Sequence, residues 1–168
     1  MTVTNSETQT RTGALPRFPE ELVGSTAFLL KRLGFAAKEQ AMRAYEASGL
    51  SPYHHAILVA LDEDTHETQG SIADALGYDR GQLVGLLDEL EERGLIERRR
   101  DRADRRRQIV NMTPAGSKAL DRLRGISERL ESELLSPLDP NERRKLHALL
   151  LRLAEQHLPH CAQITPKR

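Results

Sequence analysis

The sequence predicts a mainly α-helical fold with one small β-hairpin. Three observations support this prediction: two short amphipathic segments meet at a turn, two arginine-rich segments of strand character follow them, and long helical patterns occupy both ends of the chain. Together these features predict a winged helix-turn-helix over about residues 50–113. The N- and C-terminal helices, over about residues 20–47 and 113–158, are predicted to form a dimerisation region.

The helix-turn-helix is predicted from two amphipathic segments. Apolar side chains between Ile72 and Leu76 share one face of the first segment, which stops at Gly77, and glycine suits the left-handed residue that ends many helices. After the turn, Asp79 can cap a second helix whose leucines between 83 and 90 recur every three or four residues. In a helix-turn-helix, the second helix lies in the major groove of DNA and presents its N-terminal residues to base edges.

A β-hairpin, the wing, is predicted directly after these helices. Residues 95–100 and 107–112 can pair as strands, joined by the polar stretch 101–106. Between Arg93 and Arg107 the chain carries eight arginines and three acidic residues, which gives a local charge of 8 − 3 = +5. Arginine suits phosphate groups and narrow minor grooves, so the hairpin indicates a polyanionic partner.

The helices before the helix-turn-helix are predicted from leucine spacing and capping residues. A first helix is predicted as one element over residues 20–47, and a second begins at Ser51 and Pro52. The stretch 62–68 is interpreted as a polar link with little room for another strand of the wing.

Two further helices are predicted at the C-terminal end. Thr113 caps the first, which stops at Ser136, and Asp139 with Glu142 forms a capping box for the second. Their leucine faces have more apolar surface than one compact lobe can cover, and pairing with a second copy would bury it. The alternative is a monomer in which both helices fold back onto their own lobe.

Composition predicts a small intracellular protein, expected in the cytoplasm. The 168 residues suit one domain, 18–168, after a flexible arm, 1–17, and 25 basic residues balance 25 acidic ones. Affinity for DNA therefore has to come from segregated charge rather than from net charge. The single cysteine, Cys161, excludes an intramolecular disulfide, and no apolar run reaches the length of about 18 residues that a membrane span requires.

Several motifs follow one another along the chain: Leu-Ser-Pro at 50–52, Leu-Glu-Glu-Arg-Gly-Leu-Ile at 90–96, Asp-Arg-Arg at 104–106 and Met-Thr-Pro-Ala-Gly at 112–116. In this order and spacing they resemble the MarR family of winged-helix transcriptional regulators, over about residues 20–158. The resemblance implies an obligate homodimer that binds double-stranded DNA at a palindromic operator. It also implies a repressor released by a small-molecule effector, without a cofactor.

The start of the predicted recognition helix carries the candidate base contacts. Arg80 suits a guanine edge, Gln82 an adenine edge and Val84 a thymine methyl, while Gly81 leaves the backbone free to approach a phosphate. Gly85 stands where many family members carry a polar or basic side chain. It indicates either close backbone packing or tolerance of a residue that lowers helix stability by about 1 kcal/mol relative to alanine.

The wing carries the candidate minor-groove and phosphate contacts. Arg102 at its tip is predicted to enter the minor groove, and Asp104 to stabilise the wing through a salt bridge. By resemblance, one of Arg105 and Arg106 completes that salt bridge and the other faces DNA, and the sequence leaves open which is which. Side chains alternate along a strand, so at least one arginine of 98–100 is expected to face away from DNA as solvated charge.

The resemblance also implies a crevice between the dimer helices and the winged lobe, where a small, often aromatic acid binds. Phe35, His54 and His55 lie on the elements that would line it, and imidazoles can bind a carboxylate or a phenol. In the alternative interpretation, His55 is a packed, half-buried ring and His54 faces solvent.

Other functions have less support in the sequence. His157, His160 and Cys161 form a compact group that a thiol- or metal-responsive regulator would use, but the sequence offers no obvious fourth ligand nearby. No metal site is therefore predicted. No motif of an enzyme active site occurs, so an enzyme is not expected. A non-specific architectural DNA-binding protein of the same fold is a further alternative.

Overall fold

The computed structural model describes residues 17–63, 67–102, 104 and 106–158. The chain forms two compact units, one ending at Ala36 and the other beginning at Ala37. All but the last residue of the predicted arm 1–17 lies outside the described residues, as do His160 and Cys161.

The first unit contains a helix break that the sequence analysis did not predict. Instead of one helix over residues 20–47, the chain forms α1 (Glu20–Val23) and α2 (Thr26–Glu46), and α2 continues into the second unit. The break occurs at Gly24 and Ser25, where the Ser25 hydroxyl accepts a hydrogen bond from the Phe28 backbone N–H at 3.3 Å and so caps the new helix. The prediction of one continuous helix was therefore wrong at this point.

The second unit holds the remaining elements. The helices are α3 (Pro52–Glu63), α4 (Gln69–Leu76), α5 (Arg80–Glu92), α6 (Pro114–Leu134) and α7 (Pro140–His157). The strands are β1 (Glu67–Thr68), β2 (Ile96–Arg100) and β3 (Gln108–Met112). The predicted fold class, mainly α with a small β wing, is confirmed.

Local side-chain chemistry sets the ends of these helices as the sequence predicts. Gly77 ends α4 in the left-handed conformation, with φ of 63°. Asp79 Oδ1 accepts hydrogen bonds from the backbone N–H groups at the start of α5, and Thr113 Oγ1 does the same for α6. Asp139 and Glu142 form the predicted capping box of α7.

The sheet is antiparallel and has the strand order β1-β3-β2. Ile96 pairs with Met112 at one end of the wing and Arg100 with Gln108 at the other. The expectation of little room for a further strand was wrong, because the two residues of β1 pair with Val110 and Ile109 of β3. This short strand joins the end of the polar link to the wing, directly before α4.

The core of the second unit lies beneath the helix-turn-helix. Fully buried side chains come from α3, α4, α5, α6 and both long strands, namely Ile57, Leu58, Ile72, Leu83, Leu87, Leu90, Ile96, Val110, Leu120 and Leu123. Gly116 is required where α6 approaches the wing, because a Cβ there would lie 2.1 Å from the Leu95 carbonyl oxygen. The base of the wing is therefore packed tightly against the first turn of α6.

Both units leave large apolar side chains exposed. In the first unit these are Phe18, Leu22, Val23, Leu29, Leu30, Leu33 and Phe35. In the helices α2, α6 and α7 of the second unit, they include Met42, Leu134, Leu149, Leu150 and Leu153. Among the described residues, no helix is both long and apolar enough to cross a membrane.

Candidate nucleic-acid interface and cavity

The N-terminal end of α5 is an exposed surface with a fixed shape. Arg80, Gly81 and Gln82 are exposed, and Val84 keeps 45% of its side chain accessible although it is apolar. Leu83, on the other side of the helix, is buried. The cap by Asp79 fixes the first turn, so the four predicted base and phosphate contacts lie together on one rigid helix end.

Two glycines lie on this exposed side of α5. Gly81 and Gly85 are one helical turn apart, and a Cβ at Gly85 would have no described neighbour within 4 Å. A Cβ at Gly81 would approach Asp79 Oδ1 at 3.1 Å. No described contact within the chain therefore requires glycine at position 85. The backbone at both Gly81 and Gly85 is exposed, so another molecule can approach it closely.

Charge is unevenly distributed along α5. Its first turns carry Arg80 and no acidic side chain, whereas its second half carries Asp88, Glu89, Glu91 and Glu92. A polyanion is attracted to the first half and repelled from the second. The helix can therefore present only its N-terminal end to a phosphate backbone.

A polar hollow of about 590 Å³ joins α4, α5 and the wing. Arg80 from α5 and Arg106, Arg107 and Gln108 from the wing line it, together with Thr68, the first turn of α4 and the acidic Asp74. Arg80 thus shares one surface depression with Arg106 and Arg107, which lie 26 and 27 positions later in the sequence. The sequence analysis counted Arg107 among the arginines of residues 93–107, but it did not name Arg107 or Gln108 as candidate site residues. The direction of these side chains depends on the strand register, which the sequence does not give.

Hydrogen bonds shape the tip of the wing. Asp104 Oδ1 accepts from the backbone N–H of Arg106 at 3.0 Å, and the Asp104 carbonyl accepts from the N–H of Arg107 at 2.9 Å. Arg102 is exposed at this tip. Arg105, one of the two predicted partners of Asp104, lies outside the described residues, so the choice between Arg105 and Arg106 stays open.

Arg98 connects the wing to α5, whereas its neighbours Arg99 and Arg100 are exposed. Its guanidinium donates to Glu91 Oε2 from Nε at 2.9 Å and from Nη2 at 2.5 Å, and Nη2 lies 2.6 Å from Asp88 Oδ1. The Arg98 backbone N–H also donates to Glu91 Oε1, and only 17% of the Arg98 side chain is exposed. These side-chain hydrogen bonds from Arg98 lower the pKa of Glu91, which keeps the carboxylate ionised.

A cavity of about 850 Å³ lies between α2, α3, α6 and α7 of the second unit. Leucines of α6 and α7 form much of its wall, with Arg143, Arg144 and His147 from α7 and with Glu128 and Glu131 from α6. Within the described part of the chain, neither arginine forms an ion pair. The cavity can therefore accept an apolar ligand, and it offers cationic groups to a negatively charged part of that ligand.

His55 lies in the wall of this cavity beside Tyr45. The Tyr45 hydroxyl and His55 Nδ1 are 2.7 Å apart, and both residues line the cavity. Burial raises the pKa of the Tyr45 phenol and lowers the pKa of His55, and the nearby Arg124 lowers the latter further. A neutral imidazole and a neutral phenol therefore form a hydrogen-bonded pair at this position.

His54 has a different position and does not face solvent. Its side chain is only 4% exposed, its Nδ1 accepts from the Ser51 N–H at 3.0 Å, and its Nε2 lies 3.2 Å from Glu89 Oε2 of α5. The alternative interpretation of a solvent-facing His54 was wrong. Burial lowers the pKa of His54, while Glu89 raises it in part and Arg93 lowers it.

The first turn of α3 thus contacts several parts of the second unit. Pro52 and His55 line the cavity, whereas His54 approaches Glu89 of α5. Tyr53 packs edge to face against Tyr78, with 5.7 Å between the ring centroids, and Tyr78 directly precedes the cap of α5. One helical turn therefore contacts the cavity and both ends of the segment 78–89.

Two further predicted residues, Phe35 and His157, are exposed. Phe35 belongs to the first unit and keeps 56% of its side chain exposed. His157 ends α7 and is exposed, and among the described residues no group of three potential metal ligands is found.

Comparison with known proteins gives matches over most of the chain. A sequence model of the MarR family matches residues 48–107. A protein of Thauera aromatica, assigned as a transcriptional regulatory protein for the hcr operon, is 33% identical over 136 residues, which cover 80% of this chain and 82% of that relative.

Solved structures match the fold as well. The transcriptional repressor CouR, bound to a 23-mer DNA duplex, is 32% identical with a TM-score of 0.74, covering 80% of this chain and 96% of that one. CouR from Rhodococcus jostii RHA1, bound to p-coumaroyl-CoA, is aligned at 26% identity with a TM-score of 0.69, covering 81% and 96% of the two chains.

Proposed function

Because the chain belongs to the MarR family of transcriptional regulators, we propose that it is a homodimeric repressor of a palindromic operator, released by a small organic anion. The observation that carries the DNA-binding part is the polar hollow in which Arg80, Arg106 and Arg107 meet beside the exposed end of α5. The match to a repressor structure solved with a DNA duplex supports the same conclusion.

The contacts to DNA divide between α5 and the wing. Arg80, Gln82 and Val84 contact base edges in the major groove, while Gly81 and Gly85 allow the helix backbone to approach. Arg102 enters the minor groove from the wing tip, and Arg107 binds phosphates beside the hollow together with one of Arg105 and Arg106. The ion pairs of Arg98 with Asp88 and Glu91 hold the wing against α5. The wing and α5 therefore contact their two grooves at the same time.

The homodimer is supported by the exposed apolar faces of the outer helices. The leucines of α7 and the apolar residues of α1 and α2 would be covered by the same helices of a second copy. In this proposal, residues from 18 onward act as one domain, with the winged helix-turn-helix at about 50–113 and dimerisation helices at about 20–47 and 113–158. Two winged lobes then bind two half-sites of one operator.

The effector site is proposed to be the cavity between α2, α3, α6 and α7. Its leucine-rich wall suits an apolar or aromatic body, and Arg143 and Arg144 suit a carboxylate or phosphate. His55 and Tyr45 provide a neutral hydrogen-bonding pair in the same wall. The CouR structure with p-coumaroyl-CoA, an aromatic acyl thioester that carries phosphates, supports an effector of this class.

The first turn of α3 is proposed to transmit occupancy of the cavity to α5. A ligand that moves Pro52 or His55 also moves Tyr53 and His54, which contact the start of α5 through Tyr78 and its second half through Glu89. A ligand need only favour a DNA-incompetent arrangement by a few kcal/mol, because each 1.4 kcal/mol changes occupancy about tenfold.

The test is selection of bound sequences from random DNA with the full chain, followed by competition. We expect one enriched palindrome, bound at least about a thousandfold more tightly than unrelated DNA. Uniform binding to all sequences would instead support a non-specific architectural protein.

The effector is tested on the selected operator with p-coumaroyl-CoA, a panel of free aromatic acids, and peroxide. We expect release by at least one organic anion, and loss of that release in Arg143→Ala/Arg144→Ala with operator affinity retained. Peroxide release that disappears in Cys161→Ser would overturn this proposal and make the thiol the sensor.

A further inference from the structure

The start of α3 is capped by a histidine. Ser51 precedes the helix, and its Oγ accepts a hydrogen bond from the backbone N–H of His54 at 3.4 Å. In return, His54 Nδ1 accepts from the backbone N–H of Ser51 at 3.0 Å. This reciprocal pair is a capping box, in which the third helical residue is usually glutamate or glutamine. Histidine at that position gives α3 a cap that can titrate between neutral and acid pH.

The cap determines which nitrogen of His54 carries the proton. A backbone N–H can only donate, so Nδ1 accepts with its lone pair and the neutral ring carries its hydrogen on Nε2. Ser51 Oγ also lies 3.0 Å from Nδ1, and a hydroxyl can donate to the same lone pair. Protonation of Nδ1 would point a second N–H at the Ser51 N–H. The imidazolium therefore cannot keep this capping box.

The other nitrogen of His54 faces α5. Nε2 is buried and makes no hydrogen bond among the described residues, although Glu89 Oε2 lies 3.2 Å away. Glu89 keeps 56% of its side chain exposed, so water screens its attraction for a positively charged ring. One imidazole thus caps α3 with its first nitrogen and contacts the predicted recognition helix with its second.

Two charged groups at the C-terminal end of α5 act on His54. Burial lowers the pKa of His54, the Glu89 carboxylate raises it, and the Arg93 guanidinium lowers it. The elements α4, α6 and β3 also pack against α3. Within the described chain no charged group of these three elements shifts the pKa of His54, and Arg124 of α6 acts on His55 instead. The folded chain therefore favours the neutral, capping form of His54.

The capped turn of α3 contacts α5 at two places. Tyr53 packs against Tyr78, directly before the α5 cap Asp79, and His54 approaches Glu89 in the second half of α5. A helix that loses its N-cap frays in its first turn, because the N–H groups there have no partner within the helix. Fraying of this turn would remove the contacts of α3 with both halves of α5.

We propose that His54 is a positioning residue for operator binding: the neutral ring caps α3 and holds α5 in the DNA-binding arrangement, and protonation of the ring releases both. Acid then weakens operator binding through the same turn of α3 that borders the cavity, without any ligand. This inference rests on the proposed repressor function and adds a second input to it. Because linkage is reciprocal, bound operator must also lower the affinity of His54 for a proton.

The first test measures the pKa of His54 in the full chain with and without the selected operator. Protein labelled with ¹³C at histidine Cε1 is titrated by NMR, and the resonance of His54 is the one absent from His54→Gln. We expect a lower pKa in the operator complex, equivalent to at least about a threefold loss of proton affinity. An equal or higher pKa in the complex overturns the proposal.

The second test compares the pH dependence of operator affinity among variants. Glutamine fits the third position of a capping box and does not titrate, so His54→Gln is the conservative variant, whereas His54→Ala removes the cap. From about pH 7.5 to about pH 5, the wild type should lose at least about tenfold in operator affinity relative to His54→Gln. At neutral pH, His54→Gln should bind operator at least about threefold more tightly than His54→Ala, because alanine cannot accept from the Ser51 N–H.

Glu89→Gln provides a readout that a cap without a proton switch would not move. The Glu89 carboxylate raises the pKa of His54, so its removal should shift the loss of operator affinity to lower pH. Glu92→Gln, which removes an exposed acid at the end of the same helix, is the matched control and should leave the midpoint of that loss unchanged. Equal midpoints in these two variants would contradict the proposal.

The outcomes separate this inference from the function on which it rests. A wild-type chain that binds no operator at neutral pH overturns both. Operator binding with the same pH profile in wild type and His54→Gln overturns the inference alone, and so does an acid loss of binding that coincides with loss of the helical circular dichroism signal. A lower pKa of His54 in the complex, with a pH profile that depends on His54, supports the inference.

Discussion

Single residues in α5 and the wing differ in what they contribute to DNA binding. Gln82→Ala should change the preferred base at one position of each half-site, because a bidentate amide contact discriminates by about 1–3 kcal/mol. Arg102→Ala should weaken binding to all sequences and reduce the slope of log affinity against log salt by about 1 per contact. Binding isotherms on the operator and on single-base variants, at several salt concentrations, measure both effects. A uniform loss of affinity in both variants would contradict this division.

Adjacent arginines of β2 provide a second comparison at the residue scale. Arg98→Ala should lower the free energy of unfolding by about 1.5–3 kcal/mol, because hydrogen bonds to charged groups contribute about that much and Glu91 loses its partner. Arg99→Ala is the control, since Arg99 is 70% exposed and pairs only with Glu97 among the described residues. Urea unfolding at fixed protein concentration measures the difference. Equal losses of unfolding free energy in the two variants would show that the contacts of Arg98 with α5 do not stabilise the fold.

At the scale of helices, Gly85 links the stability of α5 to its function. Gly85→Ala should raise the free energy of unfolding by about 1 kcal/mol, because no described atom lies within 4 Å of the added Cβ. The same methyl group faces outward and should weaken operator binding by blocking close approach of the backbone. Thermal unfolding and operator binding measured on one preparation check both. Unchanged operator affinity would mean that Gly85 is merely tolerated.

The contact between α3 and α5 gives the fold a pH dependence. Burial lowers the pKa of His54 in the folded chain below its unfolded value of 6.5, so folding favours the neutral imidazole. This contribution to stability is complete above pH 6.5 and is lost as pH falls through the lowered pKa. His54→Gln should therefore show a shallower loss of unfolding free energy below pH 6.5 than wild type.

The helices and their ends were largely predictable because short-range chemistry decides them. Gly77, Asp79, Thr113 and Asp139 act within three or four residues of their own position. The break at Gly24 was not predicted, because the apolar spacing of the two flanking helices continues across it. The two-residue strand β1 was missed because it exists only through backbone pairing with β3.

Over the whole molecule, the candidate site was predictable only where all of its residues lie on one helix or strand. The exposed end of α5 follows from its leucine pattern, whereas the hollow requires Arg80 and Arg107 from different elements. An arginine run does not reveal which side chain faces inward, so the role of Arg98 depended on the register of β2 and β3. The positions of His54 and His55 differ because consecutive residues of a helix face different directions.

The most direct test of the central claim uses the selected operator and one derivative. A homodimer with two fixed lobes requires half-site centres about one helical turn apart, and an insertion of about 5 base pairs places them on opposite sides of the duplex. We predict that this insertion reduces the affinity of the full chain at least about a hundredfold, while an insertion of about 10 base pairs with unchanged half-sites reduces it less. Equal affinity for the operator and the derivative with about 5 inserted base pairs would contradict a two-fold regulator that reads both half-sites at once.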